Sequence, residues 1–362
     1  MSTRKRFHSG WAGIPVTLLV VLPLAFFATG CSDDEEFVDL TPPGIPSGVS
    51  SITGDGAVYV RWIPNKEPDL AGYRVERREP VVFRYRGTRV AINPPPSAGG
   101  CLVAFALGVM SDWESAGVEW GSEDHMLNLL RGMRAASVAR HSFSMEDGLD
   151  RKTMGRLLSE DTIREWQQSL DRHALFSRGT THISVADTDG NIASLTASNG
   201  EGCGYVLPGT GVMLNNMLGE EDLHPAGFNR WPVGTRLASM MSPAVAETPD
   251  GTRYALGSGG SNRIRSAITQ VLVNLVDFGM APEEAVAAPR MHLEGKLLST
   301  EPGISERTLE VLDGAVPSSH HWPERNLFFG GVHTVSVGHG GAFDGAGDPR
   351  RGGAVAYAGA PR

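Results

Sequence analysis

The sequence predicts an α+β fold in which strands and helices pack in layers. Alternating apolar residues over 181–197 are typical of paired strands, and apolar residues at three- and four-residue spacing over 124–140 and 263–280 are typical of amphipathic helices. Their order is the third observation. Strands come first along the chain, helices follow and strands return, which favours layered α+β packing.

The first strands are expected between residues 41 and 79. This segment opens with a stretch rich in Pro and Gly and then alternates apolar and polar residues, a pattern typical of antiparallel strands bounded by turns. The residues expected on the strand faces are Val58, Val60, Trp62, Tyr73 and Val75.

Helices are expected after a Pro-rich turn. The string VVFRYRGTRVAINPPPSAGG, residues 81–100, predicts a strand before that turn. Apolar spacing then predicts helices at Asp124–Arg140 and Glu160–Arg172.

Thr181–Ala197 predicts two strands joined by the turn Asp187-Thr188-Asp189-Gly190-Asn191. The acidic turn has the look of a calcium loop, but it lacks the later ligands of an EF-hand. Asp-Gly between alternating strands is the simpler signature of a hairpin, which we therefore expect.

The last third of the chain predicts two helices and two closing strands. Arg263–Met280 is amphipathic and follows a Gly-rich loop, and Pro282–Ala288 starts with proline at a position where the missing N–H costs nothing. Val332–Val337 and Gly353–Gly359 are expected to be strands.

Composition and charge exclude several protein classes. The chain has 362 residues, 41% of them hydrophobic, with 45 Gly and 23 Pro and no triplet period, so neither collagen nor wholesale disorder fits. Its 41 acidic residues outnumber 32 basic ones and give a net charge of −9. A nucleic-acid partner is not expected, because the chain has no basic footprint.

The N-terminal residues predict export. Arg-Lys-Arg at 4–6 precedes an apolar run, Ile14–Ala28, that is typical of a secretory signal. Phe27-Ala28-Thr29-Gly30-Cys31 resembles the lipobox of bacterial lipoproteins, and the acidic residues 33–36 would then form a tether. We expect lipidation of Cys31 and a place in the periplasm or at the cell surface, with the outer membrane favoured; an ordinary signal peptide is the alternative.

The remaining cysteines and the histidines give little sign of a metal site. Cys101 and Cys203 could pair in an exported chain, but their spacing matches no motif. No Cys-x-x-Cys occurs, and apart from His320-His321 the histidines are scattered. No metal and no cofactor are predicted.

Part of the first strand segment resembles a known module. AVYVRWIPNKEPDLAGYRVERRE, residues 57–79, resembles the opening half of a fibronectin type III domain, with Trp62 in the place of its core tryptophan. Such a sandwich needs about seven strands and roughly 100 residues. The resemblance ends after about three strands, so a partial β-sandwich is expected.

Ordered motifs carry a second resemblance. They are RGTTHISVAD (178–187), PGTGVMLNNMLGEEDL (208–223), RLASMMSPAV (236–245), GSGGSNRIRSAITQVLVNLVDFGM (257–280), PRMHLEG (289–295) and GAGDPRRGGAVA (345–356). From residue 81 onward the chain resembles the γ-glutamyltransferases (γ-glutamyltranspeptidases), in the family's order. The resemblance implies an incomplete four-layer αββα N-terminal-nucleophile hydrolase fold.

The domains expected on this basis are a signal peptide at 1–31, a tether with the partial fibronectin-like segment at 32–80, the C-terminal part of the family's large subunit at 81–179, and its small catalytic subunit at 180–362.

The resemblance implies that Thr180 is the nucleophile and that the chain cleaves itself between Gly179 and Thr180. A threonine at a new N-terminus carries its own base, because the α-amine has a pKa of about 7.7 to 8.0 and is partly neutral near neutral pH. Gly179 suits the cleavage, since a residue without Cβ admits strained geometry.

Acyl transfer also needs donors for the oxyanion. The Gly-rich loop at the N-terminus of the 263–280 helix offers backbone N–H groups, either those of Gly259 and Gly260 or those of Gly260 and Ser261. A phosphate loop is the alternative, but no Gly-Lys-Ser/Thr follows.

The family's substrate-binding positions are matched one by one. Glu220 falls within one residue of the amine-binding Asp, with Glu221 a near rival, and of the family's Ser-Ser-Met only Ser239 is retained. Ser198 and Asn199 match the hydroxyl and the amide that follow the family's nucleophile strand, and Thr196 is a candidate for a second hydroxyl.

The family's large subunit normally runs much longer, and its earlier part supplies the arginine that binds the substrate carboxylate. Four arginines lie nearby without a matching motif: Arg78, Arg84, Arg86 and Arg89. The expected function is γ-glutamyl transfer or hydrolysis on glutathione-like compounds by a heterodimer of the two cleavage fragments. The alternatives are a catalytically inactive fusion lipoprotein and an acylase that uses the same nucleophile on another amide.

Overall fold

The computed structural model describes residues 21–22, 47–54, 57–63, 74–75, 78–143, 145, 149–167, 180–200, 202–206, 213–220, 223 and 236–358. The chain divides into two compact units, with Glu79 the last residue of the first and Pro80 the first residue of the second. Cys31, Gly179 and Glu221 lie outside the described residues.

The first unit contains two antiparallel strand pairs. β1 (Val21–Leu22) pairs with β4 (Arg74–Val75), and β2 (Ser47–Gly54) pairs with β3 (Ala57–Ile63). The strand expected around Val58–Trp62 is therefore confirmed. The fibronectin-like identity of this segment stays a prediction.

A six-stranded antiparallel sheet forms the centre of the second unit, as its described residues define it. Its strands in spatial order are β15 (Phe343–Ala346), β14 (Gly331–Val337), β10 (Arg253–Gly259), β9 (Ala244–Glu247), β6 (Thr88–Ile92) and β5 (Val81–Tyr85). A smaller sheet joins β11 (Met291–Glu294), β12 (Leu297–Thr300) and β13 (Ser318–His321).

Helices lie on one face of the large sheet, and α1, α5 and α6 contact its strands. The helices of the described residues are α1 (Ala98–Met110), α2 (Glu123–Ser142), α3 (Arg151–Leu157), α4 (Glu160–Gln167), α5 (Arg263–Val276), α6 (Pro282–Ala287) and α7 (Glu306–Ala315). α1 is apolar on all sides and almost wholly buried, as expected for a core helix. Among the described residues no helix has the length and apolarity needed to cross a bilayer.

A two-stranded hairpin, β7 (Thr181–Ala186) with β8 (Ile192–Ala197), covers the opposite face. Side chains alternate between the faces of a strand. In β10, Leu256 belongs to the buried core with Ile264 and Ile268 of α5, so Gly257 and Gly259 face the hairpin. The predicted hairpin and its turn are confirmed, since both oxygens of the Asp187 carboxylate accept hydrogen bonds from within the turn.

Several predicted boundaries needed adjustment. The segment expected as one strand before the Pro-rich turn is a hairpin, β5 and β6, because Arg86 and Gly87 adopt positive φ angles of 49° and 77° and reverse the chain. The helix predicted to reach Met280 ends at Val276, where Gly279 has a φ of +59° and the Met280 N–H bonds back to the Asn274 carbonyl.

The prediction of a closing strand at Gly353–Gly359 is wrong. Residues 353–358 form no strand, and β15 holds the edge position next to β14. The chain instead makes a short 3-10 turn at Pro349–Arg351, ended by Gly352 at a φ of +61°. The Gly353 N–H then donates to the Asp348 carbonyl at 2.8 Å, so this segment folds back over the sheet.

The two cysteines of the second unit do not pair. Cys101 is buried in α1, and burial raises the pKa of its thiol to about 12, whereas Cys203 is exposed in the segment after the hairpin. Both are free thiols.

A buried ion network anchors the C-terminal motif. Asp348 accepts from Arg290 at 2.7 Å and from Arg350 at 3.2 Å, and Arg350 also contacts Glu301 through two nitrogens. Burial opposes ionisation of Asp348, but Arg290 and Arg350 outweigh it, and the pKa of Asp348 lies below its ordinary value. The GAGDPRR motif is thereby tied to α6, to Glu301 directly after β12, and to β14.

Asp348→Asn is expected to lower the free energy of unfolding by about 3 kcal/mol, because it leaves two buried guanidinium groups without their shared carboxylate. Urea denaturation measures the change. The matched control is Asp161→Asn, which removes an exposed partner of Arg164 and should cost less than about 1 kcal/mol. Equal effects of the two substitutions would contradict the role given to the network.

Candidate functional site

The start of the hairpin brings Thr180 and Ser198 together. Thr181 pairs with Ala197, so the residues just outside this pair lie opposite each other. The Thr180 hydroxyl donates to the Ser198 hydroxyl oxygen at 3.3 Å, and the Gly200 N–H donates to the same oxygen at 3.0 Å. Two of the residues predicted for the site are therefore in contact.

The Gly-rich loop lies against the backbone of Thr180. A Cβ on Gly259 would stand 1.9 Å from the Thr180 carbonyl oxygen, so only glycine permits this approach. The loop then turns through Gly260 at a φ of +126° and Ser261 at +51°, and α5 begins at Arg263. The helix N-terminus and the loop amides are thus next to Thr180, where partial positive charge favours a developing oxyanion.

His182 connects the hairpin to the sheet. Its Nδ1 lies 2.8 Å from the Thr196 hydroxyl and its Nε2 lies 2.8 Å from the Ser184 hydroxyl, while the ring covers Gly257. Burial, with a smaller contribution from His333, lowers the pKa of His182 to about 3. The ring is neutral at neutral pH. It fills the space between the hairpin and Gly257 and forms hydrogen bonds with the Thr196 and Ser184 hydroxyls.

The hydroxyl of Thr196 is engaged by His182 on the face that meets the sheet. Its proposed contact with substrate stays a prediction. His182 belongs to the motif RGTTHISVAD, but nothing in the sequence assigned it a role. Thr180 and His182 are two residues apart and therefore lie on the same face of the strand. This spacing is the signal that could have placed His182 on the face that meets β10.

Glu220 is brought back to the end of the hairpin. The Asn216 N–H donates to the Asn199 carbonyl at 2.8 Å, and this bond returns residues 213–220 to the hairpin. A Cβ on Gly200, whose φ is +67°, would lie 2.9 Å from Glu220 Oε1. Glu220 is buried and Asn199 is exposed. The Glu220 carboxylate and the neighbouring residue Asn199 therefore flank Gly200, whose N–H bonds to Ser198.

Ser239 lies beside the first residues of α1. Its carbonyl accepts from the N–H groups of Ala98 and Gly99, and its hydroxyl accepts from the Met241 N–H at 3.0 Å. Its hydrogen bonds do not connect it to Thr180 or Ser198 within the described residues. The role of Ser239 as a substrate contact stays a prediction.

A second buried network fixes the residue after the Gly-rich loop. Asn262 accepts from Arg140 at 3.1 Å and donates to Glu294 Oε1 at 3.2 Å. Glu294 Oε2 lies 2.6 Å from His292 Nε2, and His292 Nδ1 lies 2.7 Å from the Ser266 hydroxyl. These contacts hold the first turn of α5, and sequence reasoning missed them although it quoted the motif PRMHLEG.

The arginines near residue 81 have structural partners. Arg86 pairs with Asp277 at 2.9 Å and also donates to the Trp113 carbonyl, and Arg84 donates to the Gly87 carbonyl at 3.0 Å. No group of three His, Cys, Asp or Glu side chains that could hold a metal ion occurs in the described part of the chain.

Comparison with known proteins identifies the family. A family model described as gamma-glutamyltranspeptidase matches residues 65–358. The chain belongs to the γ-glutamyltranspeptidase family. The match begins inside the segment that resembles a fibronectin domain, and the domain boundary at residue 80 stays a prediction.

The family's curated relatives include hydrolases and acylases. The chain is 31% identical over 292 residues to the acylase ACY 1 proenzyme of Pseudomonas sp. (strain SE83), covering 77% of this chain and 52% of the relative. It is 27% identical over 321 residues to the glutathione hydrolase proenzyme of Bacillus subtilis (strain 168), covering 80% and 54%. The chain thus spans about half the length of the curated relatives it matches.

A solved structure supports the same assignment. The chain resembles the cephalosporin acylase from Bacillus halodurans with a TM-score of 0.65 and 25% identity, over 80% of this chain and 54% of that chain. The expected α+β N-terminal-nucleophile hydrolase fold of the γ-glutamyltranspeptidase family is therefore confirmed.

Stability is expected to fall as the pH drops from about 6.5, because unfolded His182 takes up a proton near its ordinary pKa of about 6.5 while the folded residue resists protonation down to about 3. Each such histidine contributes a slope of about 1.4 kcal/mol per pH unit between these values. His182→Gln should therefore flatten the dependence of the unfolding free energy on pH between 4 and 6. The exposed control His339→Gln should leave the slope unchanged, and a slope equal to that of the parent in His182→Gln would refute the assignment.

Gly259→Ala is expected to lower the free energy of unfolding by about 1–3 kcal/mol, because the added methyl group displaces the Thr180 backbone. Gly314→Ala in α7 is the matched control, since a Cβ there meets nothing within 4 Å and alanine favours a helix. A Gly259→Ala variant as stable as the parent would contradict the close contact between Gly259 and the Thr180 carbonyl.

Proposed function

We propose that this chain cleaves itself before Thr180 and then hydrolyses or transfers γ-glutamyl groups through an ester on Thr180. The observation that carries the proposal is the placement of Thr180, whose hydroxyl donates to Ser198 and whose carbonyl lies against Gly259, at the end of β10 before the loop that leads into α5. The membership in the γ-glutamyltranspeptidase family and the name of the Bacillus subtilis relative support the substrate class.

The first step generates the α-amine that later works as the base. The Thr180 hydroxyl oxygen attacks the Gly179 carbonyl carbon, the hydroxyl proton passes to the amide nitrogen, and that nitrogen leaves as the new α-amine. Water then hydrolyses the ester, which gives a carboxylate on Gly179 and restores the Thr180 hydroxyl. In the uncleaved chain the Thr180 nitrogen is an amide and cannot accept a proton. Cleavage therefore converts a nitrogen without basicity into an amine that works as a general base.

The same atoms then act on substrate. The Thr180 hydroxyl oxygen attacks the γ-carbonyl while its proton passes to the α-amine, and that proton goes on to the departing amine. Water or an acceptor amine then attacks the ester while the Thr180 amine takes its proton. The bond from the acyl carbon to the Thr180 oxygen breaks, that oxygen receives the proton from the amine, and the acyl product is released. The loop amides at Gly259, Gly260 and Ser261 supply donors for both tetrahedral intermediates.

The two fragments would stay together after cleavage. β5 and β6 precede the cleavage point and pair with each other, and β6 also pairs with β9, which follows it. Val90 and Ile92 of β6 share the buried core with Leu256 of β10. Separation would expose this core, so we propose a heterodimer of the two products. Export and a lipid anchor on Cys31 remain predictions from the sequence.

The second candidate function is that of an acylase, which would use Thr180 to hydrolyse an amide other than a γ-glutamyl amide. It is favoured by the acylases among the relatives at 30–31% identity and by the likeness to a cephalosporin acylase. A γ-glutamyl substrate carries an α-amine, which the substrate of an acylase need not carry. We propose that the buried carboxylate of Glu220 recognises this amine.

Thr180→Ala is expected to remain a single band on a denaturing gel and to lose at least about 10³-fold in the release of p-nitroaniline from γ-glutamyl-p-nitroanilide. Thr180→Ser should still split. Thr181→Ala is the matched control, because it changes the exposed neighbour and should split and turn over like the parent.

The outcomes separate the candidates. A parent chain that never splits supports the inactive fusion and refutes the proposal. Splitting with turnover of glutaryl-p-nitroanilide but not of the γ-glutamyl compound favours the acylase, since the glutaryl group lacks only the α-amine. Preference for the γ-glutamyl compound that is lost in Glu220→Gln supports the proposal and the assigned role of Glu220.

A further inference from the structure

Asn262 stands directly before α5, at the position whose side chain usually caps a helix. A capping asparagine accepts a hydrogen bond from the backbone N–H two or three residues later. The side chain of Asn262 makes no such bond. Its Oδ1 instead accepts from Arg140 at 3.1 Å, and its Nδ2 donates to Glu294 Oε1 at 3.2 Å. All three residues are buried, so these two bonds fix the orientation of the amide.

The residue before Asn262 has a conformation that needs support. Ser261 has a φ of +51°, a region that residues with a Cβ rarely adopt and that persists where the surrounding structure imposes it. The N–H groups of Arg263 and Ile264 donate to the carbonyls of Gly260 and Ser261, both at 3.0 Å. The turn that carries the candidate oxyanion donors is therefore joined directly to the first turn of α5.

Opposite charges hold the network together inside the protein. The Glu294 carboxylate accepts from Asn262 through Oε1 and lies 2.6 Å from His292 Nε2 through Oε2. Arg265 lies 4.0 Å from the same carboxylate. Burial opposes ionisation of Glu294, but its contact with His292 and the charges of Arg265 and Arg140 outweigh it, and its pKa lies below the ordinary value. Loss of one charged member would leave another buried charge without compensation.

The network crosses the expected cleavage point. Arg140 belongs to α2, which precedes Thr180 in the chain, whereas Asn262 and Glu294 follow it. After cleavage between Gly179 and Thr180, the bond from Arg140 to Asn262 would join the two fragments. The upstream fragment therefore contacts the residue next to the turn that carries the oxyanion donors.

We propose that Arg140, Asn262 and Glu294 are positioning residues that hold the Gly-rich loop in the geometry that stabilises the oxyanion. The inference rests on the proposed function, because it needs acyl transfer at Thr180. The three side chains act through the backbone amides of the loop, whose fixed orientation is what makes such donors effective. The upstream fragment then remains necessary for catalysis after cleavage, because it supplies Arg140.

Kinetics on the cleaved protein test the inference, with whichever of the γ-glutamyl and glutaryl anilides the parent hydrolyses. Asn262→Ala should lower kcat by about 10²-fold with KM changed less than about threefold, since misplaced donors affect the transition state and not substrate binding. Arg140→Met should lower kcat at least about tenfold, and Arg140→Lys should restore part of it. Rates are expressed per cleaved chain, counted on a denaturing gel.

Asn274→Ala is the matched control. Asn274 is a second buried asparagine of α5, and it also makes two hydrogen bonds, accepting from Trp120 Nε1 at 2.9 Å and donating to the Ala285 carbonyl at 3.1 Å. It should lower the thermal unfolding midpoint about as much as Asn262→Ala does and leave kcat within about threefold of the parent. Equal losses of kcat in the two variants would assign the effect to folding and overturn the inference.

Self-cleavage uses the same donors, so an Asn262→Ala chain that fails to split while Asn274→Ala splits also supports the inference. Hydrogen exchange on the uncleaved Thr180→Ala chain supplies a measurement without turnover. Adding Asn262→Ala or Arg140→Met should speed exchange of the amides at 260–263 at least about tenfold, and adding Asn274→Ala should not. Unchanged exchange overturns the inference. If the parent neither splits nor turns over substrate, the proposed function fails, and exchange alone decides whether these residues hold the loop.

Discussion

The contact between Gly259 and Thr180 constrains the whole site. A carbonyl oxygen occupies the space that a Cβ on residue 259 would need, so the backbone at the start of the hairpin lies directly on the sheet. This brings the Thr180 hydroxyl to Ser198 and sets its carbonyl beside the loop that opens α5. Gly331, the partner of Gly259 across the strands, extends the same bare surface to Arg351.

The hairpin places its polar side chains toward the sheet and its apolar side chains toward solvent, the opposite of the usual arrangement. The side chains that meet the sheet are polar, and two of them bond to backbone carbonyls, Ser194 to Leu256 and Ser184 to His333. The outward side chains Ile183, Val185 and Leu195 are 54%, 44% and 40% exposed. Carbonyl groups and glycines offer hydrogen-bond acceptors rather than apolar cover, so hydroxyl groups are the better neighbours.

Much of the local structure could be predicted from the sequence. The hairpin at 181–197 and the helices that begin near residues 124 and 263 follow from apolar periodicity, which reports the local pattern of burial. The nucleophile and the Gly-rich loop were predicted from ordered motifs, and the structure brings Thr180, Ser198 and Gly259 together. Local signals therefore sufficed for elements whose environment is set by neighbours in sequence.

Pairings across the fold could not be predicted in this way. Nothing in the local pattern reveals that Gly331 lies opposite Gly259, because their register depends on residues 72 positions apart. The segment after Arg350 reads as a strand, yet the edge it would need is occupied by β15 and the ion network turns it over the sheet.

The central claim is that Thr180 becomes the acylated residue. The most direct measurement is mass spectrometry of the purified protein after brief reaction with an acyl anilide and acid quenching. We predict an acyl adduct on the peptide whose first residue is Thr180, with fragmentation placing the added mass on that threonine. An adduct on Ser198 or on any other residue, or a protein that turns over substrate while Thr180 remains unmodified, would contradict the account.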